Sequence, residues 1–150
     1  MQKISSLEAH LGYWMRFVSN RVSDEFRIAV EACGVSVTEW VALRTLYGVD
    51  NATAATLIDA LGMTKGAVSK IVARLEEKSL VQRSSDPADA RAVHLRLTKA
   101  GQALVPRLAR IADDNDRRFF SHLSPEQQAA LRDILEQTVR FHQLREVPVR

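Results

Sequence analysis

The stretch from Gly62 to Lys99, G-M-T-K-G-A-V-S-K-I-V-A-R-L-E-E-K-S-L-V-Q-R-S-S-D-P-A-D-A-R-A-V-H-L-R-L-T-K, decides the fold. It reads as a helix, a strand, a polar loop and a second strand. Thr64 is placed to cap the helix, its hydroxyl accepting from an early backbone N–H that has no partner within the helix. Val68, Ile71, Val72 and Leu75 recur at helical spacing and predict a buried stripe. Lys65, Gly66, Ser69, Lys70 and Arg74 fall on the opposite face, and all are small, polar or basic. A helix with one apolar side and one cationic, hydrogen-bonding side matches what the DNA major groove requires.

Leu80-Val81-Gln82-Arg83 reads as a short strand. From Val93 to Leu97 the alternation is strict, with Val93, Leu95 and Leu97 on one side and His94 and Arg96 on the other. Asp86-Pro87 and Asp89 between them favour turns. The pattern predicts a β-hairpin whose polar tip carries Arg91, and a basic tip beside a groove-reading helix is a winged helix-turn-helix. The fold class expected is therefore mainly α with a small β-hairpin wing.

Charge is distributed to match. The chain carries 21 Lys and Arg against 18 Asp and Glu, a formal charge of +3. Residues 64–100 hold eight of the basic residues and four of the acids, which makes that segment +4 and the remaining thirteen bases and fourteen acids −1. A local basic excess of this kind is the footprint of a phosphate-binding surface. The apolar fraction of 46% supports a packed core in one domain of 150 residues. A single cysteine excludes an internal disulfide framework. No export signal or run of about 18 apolar residues is visible, so a cytoplasmic protein is expected.

Outward from the deciding stretch, residues 5–33 show one long helical pattern: Leu7, Leu11, Met15, Val18, Val22, Phe26 and Ala29 step by three and four. Such a helix would be roughly 40 Å long, more than a domain this size can cover, so part of its stripe is expected on a second subunit. Gly34 and Gly48 mark the ends of two helices. Ser36-Val37-Thr38-Glu39 matches a capping box, followed by Trp40, Leu43 and Tyr47 at helical spacing. A stub of strand is expected near Val49-Asp50-Asn51, paired with the wing. Ala52–Leu61 reads as a third helix, with Thr53 and Thr56 near its N-terminus, where backbone donors can hold a phosphate. Thr98 is another N-cap, and Leu104, Leu108 and Ile111 continue as a helix that Pro106 should bend. Ser124-Pro125-Glu126-Gln127 is a further capping box before a last helix lined by Leu131, Ile134, Leu135 and Thr138. The run Asp113-Asp114-Asn115-Asp116 lacks calcium-loop spacing and reads as a solvated face; no metal or cofactor is expected.

Taken together, V-S-V-T-E-W-V-A-L, L-G-M-T-K-G-A-V-S-K-I-V-A-R-L-E-E-K-S-L-V, D-P-A-D-A-R and L-T-K-A-G make the chain resemble the MarR family of bacterial transcriptional regulators over nearly its whole length. The resemblance implies a homodimer with terminal dimerisation helices at 5–33 and 104–146 and a DNA-binding lobe at 36–100. It implies a reading helix in the major groove and a wing in the minor groove of a pseudo-palindromic operator, with repression the commoner outcome. Thr53, Thr64, Lys65, Gly66, Ser69, Lys70, Arg74, Asp89 and Arg91 are the expected DNA-contacting set. The family's wing often reads Asp-x-Arg-Asp-x-Arg; Asp86, Asp89 and Arg91 match it, whereas Ala88 stands where the first arginine would be.

Many such proteins respond to small aromatic acids or phenols. His10, Tyr13, Trp14 and Phe17, with Trp40 and Arg44, form the expected ligand-binding set, aromatic walls with a cation. Two other readings stand beside this one: a winged helix that binds a protein instead of DNA, and a thiol-based redox-responsive regulator. Cys33 follows a helix C-terminus, whose partial negative charge disfavours a thiolate, and it reads as a passive residue. The four histidines sit in separate elements and no nucleophile-elbow, zinc-protease or phosphate-loop pattern occurs, so no enzyme is expected.

Overall fold

In the computed structural model, which describes residues 3–149, hydroxyl caps set where most of the helices begin. Six helices and one hairpin follow in order: α1 Leu11–Glu31, α2 Val37–Leu46, α3 Ala54–Leu61, α4 Lys65–Glu77, β1 Val81–Ser85, β2 Val93–Leu97, α5 Lys99–Phe120 and α6 Pro125–Phe141. Ser36, Thr53, Thr64, Thr98 and Ser124 each accept a backbone N–H at the start of a helix. The boxes at Ser36–Glu39 and Ser124–Gln127 close as the sequence predicts, and Thr53–Thr56 forms a third.

The first element is shorter than its periodicity suggests. Residues Leu7–Ala9 form a single tight 3-10 turn, and His10 is extended, with φ −100° and ψ 124°. Helix α1 therefore starts at Leu11 and its 21 residues span about 31 Å. His10 precedes it without a side-chain cap, and the Trp14 indole N–H donates to the Glu8 carbonyl at 2.9 Å, folding the turn back on the helix. Helix α3 starts two residues later than expected: Ala52 leaves it to bridge Leu95, whose N–H donates to the Ala52 carbonyl at 2.7 Å. That bridge, at Ala52 and not at Val49–Asn51 where the chain turns, is the stub of third strand. α5 runs through Pro106 unbroken.

β1 and β2 pair antiparallel, Val81 opposite Leu97 and Ser85 opposite Val93. Leu95 and Leu97 are buried, while Val93, at the tip end of the same face, is 42% exposed. The core gathers Val30, Leu43, Leu46, Leu57, Leu61, Val68, Val72, Leu75, Leu95, Val105 and Leu108. α5 thus belongs to the lobe's core at its start: Gly101 is buried, and a Cβ there would collide with the Leu80 carbonyl. Above the lobe, α1 and α5 are stitched by the Asn115 amide donating to the Val22 carbonyl (3.2 Å). Arg118 lies 2.9 Å from Glu25, an ion pair without hydrogen-bond alignment. Much of the apolar surface of α1 and α6 is left open: Leu11 is 83% exposed, Ile134 60% and Phe141 81%. Among the described residues, no helix is long and apolar enough to cross a membrane.

Candidate nucleic-acid interface

The α3–α4 pair is joined by a two-residue turn, Gly62-Met63, before Thr64 caps α4 through its hydroxyl (3.2 Å from the Ala67 N–H). Val68, Ile71, Val72 and Leu75 are buried, which turns Lys65, Gly66, Ser69, Lys70 and Arg74 to solvent. The side chains of Lys65, Lys70 and Arg74 make no ion pair among the described residues. Gly66 is informative. A Cβ at this position would meet no protein atom within 4 Å, so the protein's own packing does not call for glycine. Glycine in a helix costs roughly 0.5–1 kcal/mol relative to alanine.

Two of the basic residues in this segment face elsewhere. Lys78 Nζ sits 2.7 Å from Glu39 Oε2 and donates to the Gly34 carbonyl at 2.9 Å. Glu39 is 3% exposed and also accepts the Ser36 N–H, so it joins the start of α2 to the end of α4. Arg83 pairs with Glu76 at 2.6 Å, fixing β1 to α4. The positive charge of the segment not tied up in these pairs is accordingly carried by Lys65, Lys70, Arg74, Arg91, Arg96 and Lys99, all exposed.

The wing tip is organised by two aspartates. Asp86 accepts the Ala88 N–H at 2.8 Å and lies 3.2 Å from His94 Nε2; Asp89 accepts the Arg91 N–H at 3.0 Å. Backbone bonds from Asp86 to Ala92 and from Ala92 to Asp89 close the turn, and the Arg91 side chain projects into solvent. The Ala88 N–H, and then His94, hold the Asp86 carboxyl below its ordinary value of 3.8. A depressed carboxylate stabilises the fold above its unfolded pKa and loses that contribution as pH falls through the folded value. Wing order, read from the Ala88 amide by NMR, is therefore expected to persist into acid below the ordinary aspartate value and to be lost as pH falls through the lowered one. In an Asp86→Ala protein the tip should be loose already at neutral pH, with faster tryptic cleavage after Arg91. An unchanged Ala88 amide in that variant would remove Asp86 from this role.

Thr53, at the N-terminus of α3, has its hydroxyl engaged with Thr56 at 3.4 Å. The aromatic set is divided. Tyr13, Trp14 and Phe17 form one cluster, with ring centroids 5.0–6.3 Å apart. Tyr13 and Phe17 line a groove of about 440 Å³ with Arg16, Asn20, Arg21 and Asp24. His10 and Tyr13 line a neighbouring one of about 340 Å³ with Leu7, Gly12 and Arg16. Trp40 and Arg44, on α2, line neither. Arg16 and Arg21 are cations in these grooves that the aromatic set did not include; Arg16, at i+3 from Tyr13, lies on the same helix face. Cys33 is half-buried against the core just beyond α1. Asp114 pairs with Arg117 at 2.8 Å.

A two-stranded wing after a helix-turn-helix pair, with a long helix on either side, defines a winged-helix fold. A family model described as MarR family matches residues 34–92. Transcriptional regulator HosA of Escherichia coli O111:H- is 31% identical over 90 residues, which cover 60% of this chain and 67% of HosA. Among solved structures, S. aureus MepR in complex with DNA superposes with a TM-score of 0.77 at 25% identity, covering 87% of this chain and 97% of MepR. Bordetella bronchiseptica BpsR, whose DNA binding is regulated by 6-hydroxynicotinic acid, shares the fold with a TM-score of 0.76 at 23% identity, covering 91% and 97%. The chain belongs to the MarR family. It is a DNA-binding transcriptional regulator and not an enzyme.

Proposed function

We propose that the chain acts in the cytoplasm as a homodimeric repressor that reads a pseudo-palindromic operator. The observation that carries this reading is the outer face of α4, where three cations without ion-pair partners among the described residues flank Gly66 and Ser69. Lys65, Ser69, Lys70 and Arg74 make the major-groove contacts, and Thr64 and Gly66 allow close approach. Arg91 enters the minor groove, Asp89 shapes the wing around it, and Thr53 lies at a phosphate-facing helix start. Residues 5–33 and 104–146 supply the dimer helices and 36–100 the DNA-binding lobe. The exposed apolar residues of α1 and α6 support that assignment, since a lone subunit would leave them in water.

The effector is a small aromatic acid or phenol, in keeping with the ligand that regulates BpsR. His10, Tyr13 and Phe17 offer the walls, with Arg16 in the same grooves; Trp14 packs on Tyr13 and Phe17 from outside the grooves, and Trp40 and Arg44 stand apart from them on α2.

Operator fragments from beside the protein's own gene, titrated across a salt series with wild type and Arg91→Ala, test this reading. Selective binding that falls steeply with salt is expected, weakened about tenfold in the variant. Failure of wild type to bind any duplex would overturn it. Gly66→Ala gives a second, more discriminating result. It should stabilise the free protein by roughly 0.5–1 kcal/mol while weakening operator binding. Unimpaired binding would show that no partner approaches α4 closely there.

A further inference from the structure

The C-terminal segment returns to the helix-turn-helix corner. At the end of α6, Gln143 takes φ +53°. Its N–H donates to the Arg140 carbonyl at 3.1 Å, and that of Leu144 to Val139 at 3.0 Å. This is the Schellman reversal, here with glutamine in place of the usual glycine. The left-handed conformation costs a non-glycine residue of the order of a kilocalorie per mole, which contacts beyond α6 help to offset. The contacts that follow do so. Val147 N–H donates to the Leu61 carbonyl at 3.1 Å, satisfying an acceptor in the last turn of α3. The Arg145 carbonyl lies 2.5 Å, and Glu146 Cα 3.0 Å, from where a Cβ on Gly62 would be. Gly62, with φ +64°, thus serves two ends: it turns the chain from α3 to α4, and it leaves space for the returning backbone.

We infer that residues 143–149 are a strap, a backbone tie from the end of α6 to the α3–α4 corner that sets the pose of the reading helix. The inference rests on the reading that α4 contacts DNA. Leu61 and Lys65, the first residue of α4, are four positions apart, so displacement of the corner displaces the helix start. The exposed apolar face of α6 and the DNA-reading surface are thereby joined through one short segment. Whatever covers α6, a second copy in the proposed dimer, fixes the near end of the strap and pre-organises α4.

A double-mutant cycle on the full dimer tests this: wild type, Gly62→Ala, a chain ending at Leu144, and both changes together. Two readouts are taken, amide exchange at Val147 and at residues 61–65, and operator affinity. In wild type the Val147 amide should be protected, and Gly62→Ala should abolish that protection by expelling the strap. Truncation should speed exchange at the corner and weaken operator binding about fivefold per half-site, the value of one backbone hydrogen bond. The added Cβ strains φ in either background, but it can expel the strap only when the strap is there. The combined variant should therefore bind no worse than Gly62→Ala alone. Multiplicative losses, or a Val147 amide exchanging at the unprotected rate in wild type, would overturn the strap. If no variant binds DNA but exchange behaves as stated, the DNA reading fails and the strap stands.

Discussion

Replacing Lys78 with methionine should lower the unfolding free energy by about 2–3 kcal/mol, measured by urea denaturation at fixed protein concentration. The expectation follows from the asymmetry of the pair. Glu39 is 3% exposed, whereas the Lys78 side chain is 40% exposed, so the cation can be removed without opening a cavity. The carboxylate, however, stays where water reaches it poorly. It keeps the Ser36 N–H at 2.8 Å and loses its counter-charge at 2.7 Å. The Gly34 carbonyl loses the donor it has at 2.9 Å. Breaking a buried pair by removing one partner typically costs about 3–5 kcal/mol, and the partial exposure of the lysine brings the figure down. Adding Glu39→Gln should restore part of the stability, because the amide oxygen still accepts from Ser36 and carries no charge. A single-variant decrease under about 0.5 kcal/mol would show that solvent already screens the pair. Operator binding should also weaken in Lys78→Met, since the pair ties α2 to the end of the helix proposed to read DNA.

The residues of that pair show where sequence reading stops. The capping pattern at Ser36 and Glu39 is legible because a cap is local: donor and acceptor lie within four residues and the chemistry is written in consecutive letters. The same holds for Thr64, Thr98 and Ser124, and for the strand alternation of β2. The partner of Glu39 is 39 residues away, and nothing in the local pattern distinguishes Lys78 from the cations that face solvent. Lys78 and Arg83 therefore add to the basic excess of the segment without joining its reading surface. Residues 5–10 depart from the expected helix for a different reason. Leu7 and Leu11 continue the stripe of α1, but periodicity records only which face is apolar. It does not record that the chain becomes extended at His10 while the Trp14 indole holds the preceding turn by a backbone carbonyl. In the same way, Gly62 is legible as a corner, while the backbone resting on it comes from more than 80 residues further along the chain. The α4 surface itself is recoverable because a helix with one apolar stripe leaves no choice about which side chains face out.

Lys70→Ala and Arg74→Ala should separate base reading from phosphate holding, and together they are expected to have the largest effect on function. Both side chains are exposed and neither is in an ion pair among the described residues, so each variant should unfold like wild type. A change in DNA binding then reports on the interface alone. Residues in the first half of a reading helix lie deepest in the groove, which places Lys65, Ser69 and Lys70 toward base edges and Arg74 toward the flanking phosphates. Removing one base-edge interaction costs about 1–3 kcal/mol, and in a dimer it is removed at both half-sites. Lys70→Ala is thus expected to weaken operator binding by at least about 2 kcal/mol, or about 30-fold, while non-specific binding falls much less. Arg74→Ala should weaken operator and random duplex alike. It should also flatten the plot of log affinity against log salt by about 0.9 for each phosphate no longer neutralised, near 2 for the dimer. If Lys70→Ala lowered both affinities equally and changed the salt slope, the lysine would bind phosphate and α4 would sit less deeply than proposed. If both variants bound within about twofold of wild type on every duplex, the outer face of α4 would not be the reading surface. The positive charge on the wing would then have to carry DNA binding, which the Arg91→Ala titration measures independently.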